Sequence, residues 1–206
     1  MIATHNSFTY LEPTQWWAKP FAPWWRCQDK QFRRQIKDGV KFLDIRIAAD
    51  KKRWTLAHGA VTLKYNRNIY ALLYELKLKK IYCRLVLEKG DKNDEQLFIN
   101  EFAHAPESDG TNIYKTYNVT QLIIKKGWRI VREYRSFIVF DNSYVPLHSD
   151  KPWYKQLPNI FKMPFITIRQ WAKRNNPQHP IAGDDNSLFF YDFYNINQTN
   201  NEPKRN

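Results

Sequence analysis

In the segment VKFLDIRIAA apolar and polar residues alternate, so that Phe42, Asp44 and Arg46 fall on one face of an extended chain and Leu43, Ile45 and Ile47 on the other. This period of two predicts a strand that carries two ionised groups on a single face. IYCRLVLEKG is a nearly continuous apolar run and predicts a buried strand with Glu88 at its carboxyl end, followed by Lys89. SFIVFDN and SLFFYDFYN read the same way and close on Asp141 and Asp192. MIATH is a short strand ending at His5, and WTLAHGA is another ending at His58-Gly59. NRNIYALLYELKLKK has helical spacing and predicts an amphipathic helix. DKQFRRQIKDGV predicts a helix capped by Asp29, with Phe32 and Ile36 on one face and Gly39 as its stop. NDEQLFINEFAHA begins as a helix with Asn93 as cap and acidic residues in the first turn, and VTQLIIKKG reads as a further short helix.

Helices and buried strands alternate, which is the pattern of a parallel sheet with crossover helices. A chain of 206 residues forms one sizeable core and is shorter than the roughly 250 residues of a typical eight-unit barrel. The expected fold is therefore α/β, a single parallel (β/α) TIM-like barrel, irregular or incomplete. The barrel is expected over residues 1–197, with a flexible tail over 198–206.

Hydrophobic residues make up 43% of the chain and aromatics 16%, which excludes a disordered protein. No apolar run approaches the roughly 20 residues of a membrane-spanning helix. The segment before His5 is too short for a secretory signal. The protein is expected to be cytosolic, or secreted if the chain is a trimmed mature form. Cys27 and Cys83 are far apart and read as free thiols, Cys83 within a strand. The net charge of +13 implies attraction to an anionic partner. It is dispersed in short runs such as Lys125-Lys126 and matches no nucleic-acid-binding module, so no specific nucleic acid is expected. The segment holding Trp16, Trp17, Trp24 and Trp25 has no clean period. It fits a core layer, a lid or an exposed ridge, and beside Lys19 and Arg26 it suits transient contact with an anionic membrane surface.

Polar residues recur at strand ends: His5, Asp44 with Arg46, His58, Glu88, Asp141 and Asp192. In parallel α/β folds the active site forms at the carboxyl ends of the strands. Two histidines and an arginine at one point suit cleavage of a phosphodiester. One imidazole removes a proton from the attacking hydroxyl and the other gives a proton to the leaving oxygen. The guanidinium holds the phosphate and offsets its growing charge. A carboxylate can orient one imidazole.

ATHNSFTY, then FRRQIKDGVKFLDIRI, then LAHGA, in that order and spacing, resembles the catalytic X region of the phosphatidylinositol-specific phospholipase C family. The likeness covers roughly residues 1–90 and continues more weakly through RLVLEKG and FFYDFYN. It implies His5 as general base, His58 as general acid, Arg46 on the phosphate, Asp192 as the partner of His5, and Asp44 as the group orienting Arg46 or His58. Asn6, Glu88, Lys89 and Asp141 are the implied substrate contacts. The expected partner is a phosphodiester or phospholipid, and the expected state is a monomer.

Two positions depart from the pattern. Metal-free bacterial members have Asp where this chain has Asn6, whereas calcium-dependent members have Asn there together with acids matching Asp44 and Glu88. Asn6, Asp44 and Glu88 are thus an alternative set of ligands for Ca2+. Arg46 occupies the position of a further ligand, and its charge opposes a metal, so a cofactor-free mechanism is expected. Inositol-specific members carry an arginine after the strand resembling FIVFDN, where this chain has Asp141 and Asn142. A glycerophosphodiester phosphodiesterase-like enzyme and a non-catalytic binder of anionic ligands or nucleic acid are the competing readings.

Overall fold

A computed structural model describes residues 1–50, 53–103, 118–141, 167–175 and 187–194. The expected tail, 198–206, lies outside the described residues. The strands are β1 (Ile2–Thr4), β2 (Phe42–Asp50), β3 (Arg53–His58), β4 (Val61–Thr62), β5 (Tyr82–Lys89), β6 (Val119–Ile124), β7 (Arg129–Glu133), β8 (Ile138–Asp141) and β9 (Ser187–Tyr191). The helices are α1 (Ala22–Trp25), α2 (Phe32–Lys37), α3 (Ile69–Leu78), α4 (Lys92–Phe102) and α5 (Ile168–Asn175).

The main sheet runs in the order β7-β6-β5-β2-β1-β9-β8. From β6 to β8 every neighbour pair is parallel. This sheet curls into an incomplete barrel. Alternation along the strands divides the core in two. Leu43, Ile45 and Ile47 of β2 and Cys83, Leu85 and Leu87 of β5 pack outward with the helices. Ala3, Phe42, Leu188 and Phe190 fill the inside. The two faces of β2 are therefore those given by its alternation. β7 and β8 lie at opposite edges of the sheet, yet only the link Tyr134–Phe137 joins them. A chain spans at most about 3.6 Å per residue, so the two edges are close at this floor end. There Phe137 packs edge-on against Phe42 and Tyr82.

Several elements differ from the sequence-based expectation. Val119–Ile124 is a strand, not a helix. Its β-branched residues favour the pleated state, and it has partners on both sides, β5 and β7. β3 runs antiparallel to β2. His58 is therefore delivered by a strand returning from above the barrel, not by a parallel member of it. The first turn of α2 is not capped by Asp29: Gln31 stands at that position without a side-chain bond, and Asp29 pairs with Arg169. Gly39 does end this helix, at φ 98°, where a side chain would be strained. α4 is capped by Asp91 with Asp94 in a reciprocal pair, so Asn93 lies inside the first turn.

α3 buries Ile69, Leu72, Leu73 and Leu76 against the sheet. Leu72 has no exposed surface. Leu72→Ala is expected to lower stability by about 2–5 kcal/mol, measured by denaturant unfolding. A loss below about 1 kcal/mol would mean that α3 is not fixed to the sheet.

Candidate active site

His5 follows β1 at the carboxyl end of the barrel, and a set of buried polar residues fixes its loop. Gln28 donates to the carbonyls of both His5, at 3.2 Å, and Tyr191, at 2.8 Å. Gln35 of α2 donates to Ser7 O and accepts from Thr4. Asn6 adopts φ 43°, a left-handed conformation that Asn tolerates better than most residues. This turn brings the Asn6 amide to within 3.1 Å of Asp44 Oδ2. The His5 ring packs against Phe190, and its Nδ1 lies 3.7 Å from the Asp192 carboxylate.

The inward face of β2 supplies Asp44 and Arg46, and that of β5 supplies Arg84 and Glu88. Asp44 accepts from Arg46 Nε at 2.9 Å on one oxygen and from Arg84 Nε at 2.8 Å on the other. Glu88 accepts from Arg46 at 2.7 Å and from Lys125. Burial disfavours the ionised form of each carboxyl, but the cations outweigh it, and both Asp44 and Glu88 are held below the ordinary carboxylate range. Burial also works against the charge of Arg46, and the two carboxylates reverse this and raise its pKa.

His58 hydrogen-bonds the Trp25 carbonyl through Nδ1. A carbonyl only accepts, so Nδ1 carries the proton and Nε2 is the site left for chemistry. Burial, reinforced by the charge of Arg46, lowers the His58 pKa to about 4. His58 is therefore neutral near pH 7 in the free protein. An unfolded histidine titrates near 6.5. His58 thus makes stability fall as pH drops from about 6.5 towards its folded value.

His5, Asn6, Arg46, His58, Arg84 and Asp192 all line one cavity of about 460 Å3, together with Cys27, Trp24, Trp128 and Ile168. Asp44 and Glu88 lie behind Arg46 and hold it. Lys89 is exposed and is not part of the cavity wall. The pairing of β5 with β2 shifts register just before Lys89, which stands opposite Ala48, so the alternation that places Arg84 does not extend to it. Asp141 pairs with Phe190 at the end of β8, and its side chain lies outside the described part.

The sequence reading did not place Arg84, Cys27 or Trp128 in the site, although it read Cys27 as a free thiol. Arg84 shares the parity of Glu88, so the period of two was a signal for it. Cys27 and Trp128 come from irregular segments and gave none. Cys27 is a buried free thiol that accepts from Asn6 Nδ2 at 3.3 Å. Burial and the neighbouring Asp192 carboxylate push its pKa well up.

The candidate calcium ligands do not fit a cation. Arg46 already lies between Asp44 and Glu88, and Arg84 and Lys125 take further carboxylate oxygens. A divalent ion at this point would have to displace two buried, hydrogen-bonded charges.

A curled, largely parallel sheet with helices outside it and polar side chains at the carboxyl ends of its strands is an incomplete TIM-like barrel. The solved structures it is similar to include the phosphatidylinositol-specific phospholipase C from Listeria monocytogenes, with a TM-score of 0.55 and 16% identity over 94% of this chain and 87% of that one. Another is the phosphatidylinositol-specific phospholipase C from S. aureus, with a TM-score of 0.53 and 14% identity over 94% and 85%. No family model matches the sequence, and no curated protein matches it. The likeness is one of fold.

Proposed function

We propose that the protein is a phosphodiesterase acting on phospholipid-type diesters without a metal. The carrying observation is that His5, His58 and Arg46, from three different strands or strand ends, line the same cavity. His5 takes the proton from the attacking hydroxyl as that oxygen bonds to phosphorus. The phosphorus–oxygen bond to the leaving alcohol breaks, and His58 Nε2 gives that oxygen its proton. Arg46 contacts a non-bridging oxygen with Nη2, the guanidinium nitrogen that Asp44 and Glu88 leave over. The backbone and carboxylate bonds to Asp44 keep this arrangement in place before substrate arrives. Asn6 Oδ1 is buried and receives no hydrogen bond from the described residues, so it is available to accept one from a substrate hydroxyl. The fold likeness to two phosphatidylinositol-specific phospholipases C supports the same reading.

The test is a panel of phosphodiesters assayed with and without a chelator, with cyclic phosphate followed as product. Cleavage is expected to be insensitive to the chelator. Loss of activity on chelation, or failure to cleave any member, would overturn the proposal.

His58 must gain a proton to act as the acid. A phosphodiester anion placed beside Arg46 cancels the charge that helps keep His58 neutral, so binding raises its pKa. An NMR titration of His58 should give a midpoint near 4 in the free protein and a higher one with a non-cleavable phosphonate diester. An unmoved midpoint would remove His58 from the phosphate site.

The exposed aromatic residues of the tryptophan segment and Trp128 suit a lipid surface. Trp16 is 82% exposed, and Trp17, Phe21 and Trp128 are exposed as well. Trp24 and Trp128 reach the cavity wall, whereas Trp25 is buried, with its indole bonded to Ala18 O. The tryptophan segment is thus part ridge and part core. Trp16→Ala with Trp17→Ala should weaken binding to vesicles of anionic lipid, read by sedimentation. Undiminished binding would remove the membrane role.

A further inference from the structure

We infer that Trp128 is a positioning residue for the anion site: its indole holds the Arg46 guanidinium so that Nη2 faces an oxyanion in the cavity. This role rests on the reading of Arg46 as the phosphate ligand. Trp128 ends the turn that joins β6 to β7. Lys125 N–H donates to Leu87 O at 3.0 Å, and Trp128 N–H donates to Lys125 O at 2.8 Å. The reversal needs left-handed backbone at two successive residues, Gly127 at φ 72° and Trp128 at φ 48°. Glycine takes that conformation freely. A large aromatic residue does so rarely, and such outliers cluster at ligand clamps.

The turn delivers the ring to Arg46. The guanidinium carbon lies 5.4 Å from the centroid of the Trp128 ring, within reach of a cation–π contact. Arg46 is 8% exposed and Trp128 53%, so an outlying ring covers a buried cation. In the guanidinium plane Nε is committed to Asp44 and Nη1 to Glu88. The indole takes one face. Nη2 is the nitrogen left over, in a side chain that lines the cavity. Lys125 fixes the turn from below: its ammonium pairs with Glu88, the same carboxylate that holds Arg46. The ring and the guanidinium it covers therefore share one anchor.

Two effects follow for an anion at Nη2. A guanidinium already held on two edges and one face loses little freedom when it binds, so less of the contact is spent on ordering it. The indole also keeps water off that face, and charges shielded from water attract more strongly. Leucine at position 128 would fill part of the space but offer no negative ring face. Phenylalanine keeps such a face in weaker form. Contact with lipid needs neither the guanidinium nor its orientation, so the two roles of an exposed tryptophan separate in solution.

The experiment uses the full chain as wild type, Trp128→Leu and Trp128→Phe, without vesicles. It follows turnover of a soluble diester that carries its own attacking hydroxyl beside the phosphate, and calorimetric binding of inorganic phosphate. Trp128→Leu should lower kcat/KM and phosphate affinity by about tenfold each, the factor that roughly 1.4 kcal/mol supplies. Circular dichroism should show both variants folded, and Trp128→Phe should recover most of both losses. In an Arg46→Gln background Trp128→Leu should cost kcat/KM little more, because the two residues act through one contact. Full additivity there overturns the inference, since a ring that merely supports the fold would add its own loss. Leucine and phenylalanine variants that behave alike overturn it too, because shape alone would then suffice. So does a Trp128→Leu protein that matches wild type on the soluble diester and on phosphate, even where its vesicle binding falls. If nothing is cleaved but wild type binds phosphate, Trp128→Leu loses that binding and Trp128→Phe regains it, the role of Trp128 stands and the phosphodiesterase proposal falls. If cleavage proceeds equally in wild type and Trp128→Leu, the phosphodiesterase proposal stands and the role of Trp128 falls.

Discussion

His5→Ala and His58→Ala should each lower phosphodiester turnover by about 10²–10⁴-fold. The double variant should cost little more than the worse single one, because a base and an acid that serve one proton-transfer sequence act as a unit. In the proposed mechanism each ring has its own task. His5 stands at the end of β1 with its Nδ1 3.7 Å from the Asp192 carboxylate, which can orient the ring. His58 comes down on β3 with Nδ1 committed to Trp25 O, so that only Nε2 can exchange protons with a ligand. Neither change removes a large part of the core, and circular dichroism with a thermal melt separates lost chemistry from lost fold. Full additivity of the two losses would mean that the rings serve separate steps. Retained turnover in either single variant would remove that histidine from the mechanism.

Asp44→Ala should lower stability by about 3–5 kcal/mol. The Asp44 side chain is fully enclosed and accepts from Arg46, from Arg84 and from the Asn6 amide. Its removal leaves two guanidiniums close together in the barrel with no anion between them. Denaturant unfolding measures the loss, and a double variant with Arg84→Met identifies its cause. Taking away the second cation should restore part of the stability, a coupling that independent sites do not show. A loss under about 1 kcal/mol would mean that water already reaches these charges.

The sequence made legible whatever depended on local period. The alternation in VKFLDIRIAA separated the outer core residues Leu43, Ile45 and Ile47 from the inward Phe42, Asp44 and Arg46, and the structure keeps that division. The spacing of apolar residues in IYALLYELKL set the buried face of α3. Direction and pairing were not legible, because they depend on residues remote in the chain. Nothing in WTLAHGA says that β3 returns antiparallel along β2. Nothing in VTQLIIKKG says that two neighbouring strands will take up its backbone groups. The same limit applied within the cavity. Strand-end residues could be named one at a time, but Gln28 and Gln35, which hold the His5 loop, look in sequence like ordinary surface glutamines. Their full burial is a property of the assembled fold.

β1 is a strand of only Ile2–Thr4, and it is held between β2 and β9. Its pairing with β9 joins Ala3 to Phe190, across almost the whole described length. Contacts so distant in sequence carry a heavy loop-closure cost and form late in folding. During synthesis β1 therefore waits with one edge unsatisfied until Ser187–Tyr191 has emerged, and His5 and Asp192 meet only then. Catalytic competence should be the last property to appear on refolding, after most helical signal has returned. The part of the cavity wall that holds His5 beside Asp192 is therefore complete only once β9 is in place.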